Sequence, residues 1–161
     1  MLYLDDLKPG DRHTGASVTV SAEDIVAFAR QFDPQPFHLD AEAAKDTVFG
    51  GLAASGWHTA ALTMRMIVDG PHTFAGGFIG MGVESLNWPR PVRAGDTLTA
   101  ESEVLEVRPS TKRPDQGVVR VRVITRNQNG EDVLHWTANL LVQRRTGADA
   151  SAEVDRRAAA E

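Results

Sequence analysis

The densest group of chemically useful side chains in this sequence is Asp33-Pro34-Gln35-Pro36-Phe37-His38-Leu39-Asp40. Proline restricts φ and lacks an N–H, so two of them predict a stiff, non-helical bend over 33–37 that presents its side chains rigidly. A carboxylate and an imidazole five residues apart on such a bend can converge on one small volume. Histidine exchanges protons near neutral pH, and a neighbouring carboxylate can orient a water and balance charge. Read alone, the octapeptide also fits a structural role, with Asp33 capping turn amides and His38 a partly buried, satisfied histidine. A second group, Phe49-Gly50-Gly51-Leu52-Ala53-Ala54-Ser55-Gly56-Trp57-His58, sets small residues ahead of an apolar run. If that run is a helix, its first amides are free donors carrying partial positive charge, and Gly56 lets a ligand approach the backbone. That arrangement can polarise a carbonyl oxygen. Small residues there equally suit close helix packing.

The elements that must hold these groups are legible from periodicity. Ser21 with Asp24 three residues on resembles a capping box. Ile25, Phe28, Ala29 and Phe32 then recur at helical spacing, which predicts a helix ending at about Phe32, because Pro34 disfavours the α conformation at Asp33. Asp40 can cap a short helix over 41–45. A second long helix is predicted over 56–68, apolar on most sides and so buried, with Gly70-Pro71 ending it. The second half alternates like sheet over 78–87, 98–107, 119–123 and 134–142, and 14–20 is a fifth candidate strand. Glu101 and Glu103 are placed to pair with Arg120 and Arg122 across an antiparallel ladder. Early helices followed by consecutive strands joined by short turns point to an α+β fold, with a curved antiparallel sheet wrapped around the central helix.

Composition narrows the chemistry. With 161 residues, 42% hydrophobic and 24% charged, the chain fits a globular protein with a sizeable core. One domain over residues 1–145 is expected, followed by a flexible Ala-rich, charged C-terminal tail over 146–161. Zero cysteines exclude disulfides, thiolate-bound metals and a cysteine nucleophile. His38, Asp40 and His58 match no compact ligand spacing, so no metal is expected. A net charge of −5 argues against nucleic acid as a partner. The N-terminus lacks a secretory pattern and no apolar run is long enough to span a bilayer, so no membrane partner is expected and the cytoplasm is the expected location. His13, His72 and His135 read as ordinary exposed residues, and His58 as a packing or surface residue.

The two groups taken together resemble the hydratase motif of MaoC-like dehydratases and (R)-specific enoyl-CoA hydratases: Asp33…His38-Leu39-Asp40, then Phe49-Gly50 and Ser55-Gly56 ahead of an apolar helix. The stretch Trp88-Pro89-Arg90-Pro91-Val92-Arg93-Ala94-Gly95-Asp96-Thr97-Leu98 is similar to that family's Pro-Val-x-x-Gly-Asp turn. The resemblance covers about residues 5–143. It implies a hotdog fold, usually paired into a dimer, so a homodimer or higher homo-oligomer is expected. It also implies reversible hydration of a trans-2-enoyl-CoA to an (R)-3-hydroxyacyl-CoA, with no cofactor beyond the CoA carried by the substrate. By position Asp33 and His38 become the catalytic pair and the Gly56 N–H the oxyanion donor, with Ser55, Trp57 and Phe49 as substrate contacts. Arg90, Arg93, Lys112 and Arg113 are candidates to meet the CoA phosphates or are scattered solvent charges.

The chain departs from the family pattern in two places. Gln35-Pro36 stands where Asn-Pro is common, with Pro34 added, and Ser55 stands where the family has His before the helix glycine. Two other functions fit the same fold: an acyl-CoA thioesterase, and a non-catalytic acyl-CoA-binding subunit.

Overall fold

The computed structural model describes residues 1–146; the tail expected from residue 146 lies, but for Thr146, outside the described residues. Ser21 caps the first helix, α1 (Ala22–Phe32), by accepting the Asp24 N–H at 3.0 Å while its hydroxyl donates to the Asp24 carboxylate at 2.6 Å. Ile25 and Ala29 form its fully buried stripe. The helix ends at Asp33, ahead of Pro34. Instead of the expected non-helical bend, Pro36 opens a short helical turn, α2 (Pro36–Leu39). The physical reason is that the first helical position has no amide partner to lose and favours proline's fixed φ. Asp40 caps the following segment through the N–H groups of Glu42 and Ala43, but that segment is a run of turns, not a helix.

The second long helix, α3 (Gly56–Val68), has the predicted bounds. Its inner face is partly polar. Thr63 donates to the Thr59 carbonyl at 2.9 Å and is hydrogen-bonded at 2.7 Å to the hydroxyl of Thr125, both residues fully buried, so the helix is pinned to the sheet beneath it. The expectation of burial on most sides needs correcting: Trp57, Met64 and Val68 form an outward stripe that is 61%, 38% and 52% exposed.

Five strands follow the expected positions: β1 (Arg12–Thr19), β2 (Ile79–Asn87), β3 (Thr97–Pro109), β4 (Gln116–Arg126) and β5 (Asp132–Gln143). They make one antiparallel sheet in the order β1-β3-β4-β5-β2, so β2 precedes β3 in the chain yet lies at the opposite edge from β1. Alternate residues Val119, Val121 and Val123 of β4, with Leu134, Trp136, Ala138, Leu140 and Val142 of β5, bury their side chains in the core. α3 rests on this sheet, touching β1, β3 and β5. Its C-terminal end comes so near β1 that a Cβ on Gly15 would sit 2.6 Å from the Met66 carbonyl oxygen. Arg122 pairs with Glu103 at 2.6 Å as expected, but Arg120 reaches past β5 to Glu84 on β2 at 2.7 Å, leaving Glu101 to Arg12 and Arg126.

Candidate active site

The end of α1, the turn α2 and the start of α3 meet at one point, and the sequence-predicted acid and imidazole meet there. Asp33 is the C-cap of α1, and His38 lies on α2, only 4% exposed. His38 Nε2 is 3.4 Å from Asp33 Oδ2. Its other nitrogen, Nδ1, donates to the Ala53 carbonyl at 2.7 Å. A carbonyl can only accept, so Nδ1 carries a proton, and Nε2 is the nitrogen turned toward Asp33. The Ala53 N–H in turn donates to the Phe37 carbonyl, tying this segment to α2 on both sides.

Asp33 is anchored as firmly. Ser55 Oγ donates to Asp33 Oδ2 at 2.6 Å, and the Gln35 amide donates to Oδ1 at 2.7 Å. Ser55 is fully buried and is also the N-cap of α3, accepting the Trp57 N–H at 3.2 Å. The Ser55 hydrogen bond is the main cause holding the Asp33 carboxyl below the usual carboxylate range; burial opposes it, and Gln35 and the nearby His38 reinforce it. Both departures from the family pattern therefore land on the same carboxylate: the longer Gln35 amide and the Ser55 hydroxyl each hold one of its oxygens. The result is a carboxylate held in its ionised form beside an imidazole oriented by its Nδ1–H, able to hold a water between them and move one of its protons.

Gly56 begins α3, where the first amides have no intrahelical partner. A Cβ there would lie 2.7 Å from Cε2 of Trp88, so the indole occupies the space a side chain would need. Trp57 projects outward and meets Trp88 edge-on at 5.5 Å between ring centroids. Phe49 is half-buried, its ring 5.0 Å from Phe37 and 6.0 Å from the His38 imidazole. Thus Ser55 and Phe49 touch the acid–imidazole pair directly, whereas Trp57 packs with Trp88 on the outward side of α3.

Arg93 is neither a solvent charge nor placed for a phosphate. It is half-buried and donates to the carbonyls of Gly51 (2.8 Å) and Leu52 (3.0 Å), and to that of Phe49, clamping the loop that leads into Ser55. Its own backbone N–H is held by Asp96, which is 8% exposed. The Pro-Val-x-x-Gly-Asp turn is the sequence signal that could have found this clamp. His58 stacks on Phe28 at 4.7 Å, and burial pushes its imidazole below the usual range, so it is a neutral packing residue.

A family model described as "MaoC like domain" matches residues 8–127. The crystal structure of a MaoC-like dehydratase from Rhodospirillum rubrum is 52% identical and superposes with a TM-score of 0.87, covering 91% of this chain and 99% of that one. The Bacillus subtilis protein YdeM is 34% identical over 145 residues, 89% of this chain and 100% of its own. An (R)-specific enoyl-CoA hydratase from Rhodospirillum rubrum is 34% identical over 116 residues, 68% of this chain and 74% of its own. The curled antiparallel sheet around α3 is a hotdog fold, and with the family match extending across the loop that carries Asp33 and His38, α3 and four of the five strands, the chain belongs to the MaoC-like domain family.

Proposed function

We propose that this protein hydrates a trans-2-enoyl-CoA reversibly to an (R)-3-hydroxyacyl-CoA. The observation that carries this reading is the Asp33–His38 pair, 3.4 Å apart with each partner fixed by its own hydrogen bond. A water lodged between them loses a proton to Nε2 of His38 as its oxygen attacks C3. The π electrons of the C2=C3 bond move toward C2 and the thioester oxygen. There the Gly56 N–H, with the positive end of α3 behind it, stabilises the developing charge. The proton on Nε2 then passes to C2. One O–H bond and the π bond break while C3–O and C2–H bonds form, and Asp33 stays ionised, balancing the transient imidazolium. Dehydration runs the same steps backwards. The cycle calls on no cofactor besides the CoA that the substrate brings. The (R)-specific hydratase among the relatives supports this choice of substrate.

The test is 3-hydroxyacyl-CoA formation from crotonyl-CoA, with a thiol reagent present to detect any thioester cleavage. Asp33→Asn and His38→Ala should each lower kcat at least about 100-fold, the low end of what a positioned acid or base contributes. Undiminished turnover in both variants rejects the roles; free thiol without loss of the double bond turns the reading to a thioesterase.

We also propose a homodimer as the working form. The edge strand β2 leaves Ile79, Met81 and Val83 64%, 59% and 56% exposed, alongside the outward apolar stripe of α3. An unpaired, apolar strand edge invites another strand, and a second copy supplies one. Sedimentation should find a dimer at assay concentrations and Met81→Asp should shift it toward monomer; a wild-type protein that stays monomeric refutes the assembly.

A further inference from the structure

The segment 51–55 carries Ala53 and Ser55 to the acid–imidazole pair, yet it belongs to no helix or strand, so no ladder or helical turn keeps it in register. Gly50, in the left-handed region at φ +62°, precedes it and lets the backbone turn sharply there. Ala53, Ala54 and Ser55 are buried, and a buried coil must find partners outside itself for its peptide groups. α2 holds one side: the Ala53 N–H donates to the Phe37 carbonyl at 3.1 Å, and the Ala53 carbonyl accepts from His38. The turn 92–96 holds the other. There the Ala54 N–H donates to the Val92 carbonyl at 2.9 Å, and the Arg93 guanidinium gathers the carbonyls of Phe49, Gly51 and Leu52.

Arg93 stands on a fixed base. Its backbone N–H donates to Asp96 Oδ2 at 2.8 Å, while Asp96 Oδ1 accepts the Gln128 side-chain amide from the β4–β5 turn at 3.0 Å. The Gly95 N–H donates to the Val20 carbonyl and the Val20 N–H to the Asp96 carbonyl, each at 2.8 Å, which ties the turn to the end of β1. A guanidinium suits the task because its planar fork offers several N–H donors in fixed geometry, so neighbouring carbonyls are held at once. Both anchors of the pair sit on this one segment: the Ala53 carbonyl on His38 at 2.7 Å and the Ser55 hydroxyl on Asp33 at 2.6 Å. A slip of one residue along extended chain is about 3.5 Å, enough to break both together.

We propose that Arg93 is a positioning residue for the Asp33–His38 pair, registering segment 51–55 so that the Ala53 carbonyl meets His38 and the Ser55 hydroxyl meets Asp33. Its effect on turnover rests on the hydratase reading. The registration itself rests on the hydrogen bonds alone.

Carbon-13 NMR of the full-length protein follows the Asp33 side-chain carboxyl through an acid titration, a readout that needs no turnover. The Ser55 hydrogen bond is the main cause of that carboxyl's depression, so Arg93→Met should move its midpoint up toward the ordinary 3.8. Glu84, lowered chiefly by its hydrogen bond from Arg120 on the sheet, is the control and should keep its midpoint. In a Ser55→Ala background Arg93→Met should add little, because the route to Asp33 is already cut. With crotonyl-CoA, Arg93→Met should lower kcat at least about tenfold, change KM less than about threefold and move the acid limb of kcat/KM to higher pH. Where Arg93→Met does not fold, Arg93→Gln, which keeps one amide to donate, is judged by the same titration. An Asp33 midpoint unchanged in the folded variant overturns the proposal. So does a Glu84 midpoint that moves as far, the mark of general loosening, and so does a full-sized shift in the Ser55→Ala background. Where wild type hydrates crotonyl-CoA, a variant kcat within about twofold of it overturns the proposal as well. Failure of wild type to hydrate crotonyl-CoA, with an Asp33 midpoint that still responds to Arg93, refutes the hydratase reading and leaves the positioning standing. Hydration with an unresponsive midpoint does the reverse.

Discussion

Replacing Ser55 with Ala removes one hydroxyl that serves two partners: it donates to Asp33 Oδ2 at 2.6 Å and accepts the Trp57 N–H at 3.2 Å as the N-cap of α3. A hydrogen bond to a charged group contributes about 1.5–3 kcal/mol. Loss of an N-cap costs about 1 kcal/mol. The Asp33 side chain is 18% exposed, so solvent screens this contact only in part. Ser55→Ala should therefore lose about 2.5–4 kcal/mol of stability at neutral pH by urea unfolding. The loss is pH-dependent with a definite sign. Asp33's carboxyl is depressed in the folded protein from an ordinary value of 3.8, so its contribution is fully present above that value and disappears as pH falls below it toward the folded value. The gap between wild type and Ser55→Ala should hold steady above pH ~5 and narrow progressively as pH falls below the ordinary carboxyl value of 3.8. In the activity profile, the acid limb of kcat/KM should move to higher pH in the variant, because Asp33 loses the main cause of its depression. A neutral-pH gap under about 1 kcal/mol, or a gap of the same size at both extremes of pH, refutes the claim that this hydroxyl holds a charged carboxylate.

Two further substitutions test the frame around the pair. Gly56→Ala places a Cβ 2.7 Å from the Trp88 ring and should cost about 1–3 kcal/mol by thermal melting, with a smaller cost in a Trp88→Leu background; equal costs in both backgrounds mean the indole is not the obstacle. Arg93→Met removes the donors that clamp the Phe49, Gly51 and Leu52 carbonyls, and should cost about 1.5–3 kcal/mol while speeding hydrogen exchange across residues 49–55. Unchanged exchange there shows that the loop holds itself.

What could be read from the residues in order was whatever is encoded within a turn or two of chain. α1 and α3 have their expected limits because Ser21, Pro34, Ser55 and the apolar periodicity act on amides and side chains only a few positions away. The alternating valines of β4 and leucines of β5 likewise announce their buried face. Asp33 and His38 are close in sequence and converge through a short turn, so their meeting was foreseeable; that Pro36 makes that turn helical was not. The rest required the path of the whole chain. Ser55 is 22 residues from Asp33, and Arg93 is 41 to 44 residues from the carbonyls it clamps, separations over which no periodicity speaks. The placement of β2 beside β5 sends Arg120 to Glu84 and leaves an apolar edge open, although its sequence pattern suits many neighbours. His13 looks like a surface histidine in a polar strand end; only the packing of α3 against β1 and the sheet buries its nitrogens beside Trp136. Local hydrogen bonding and side-chain period decide which segments form, whereas which distant groups meet, and what charge state they then keep, follows from how those segments close over one another.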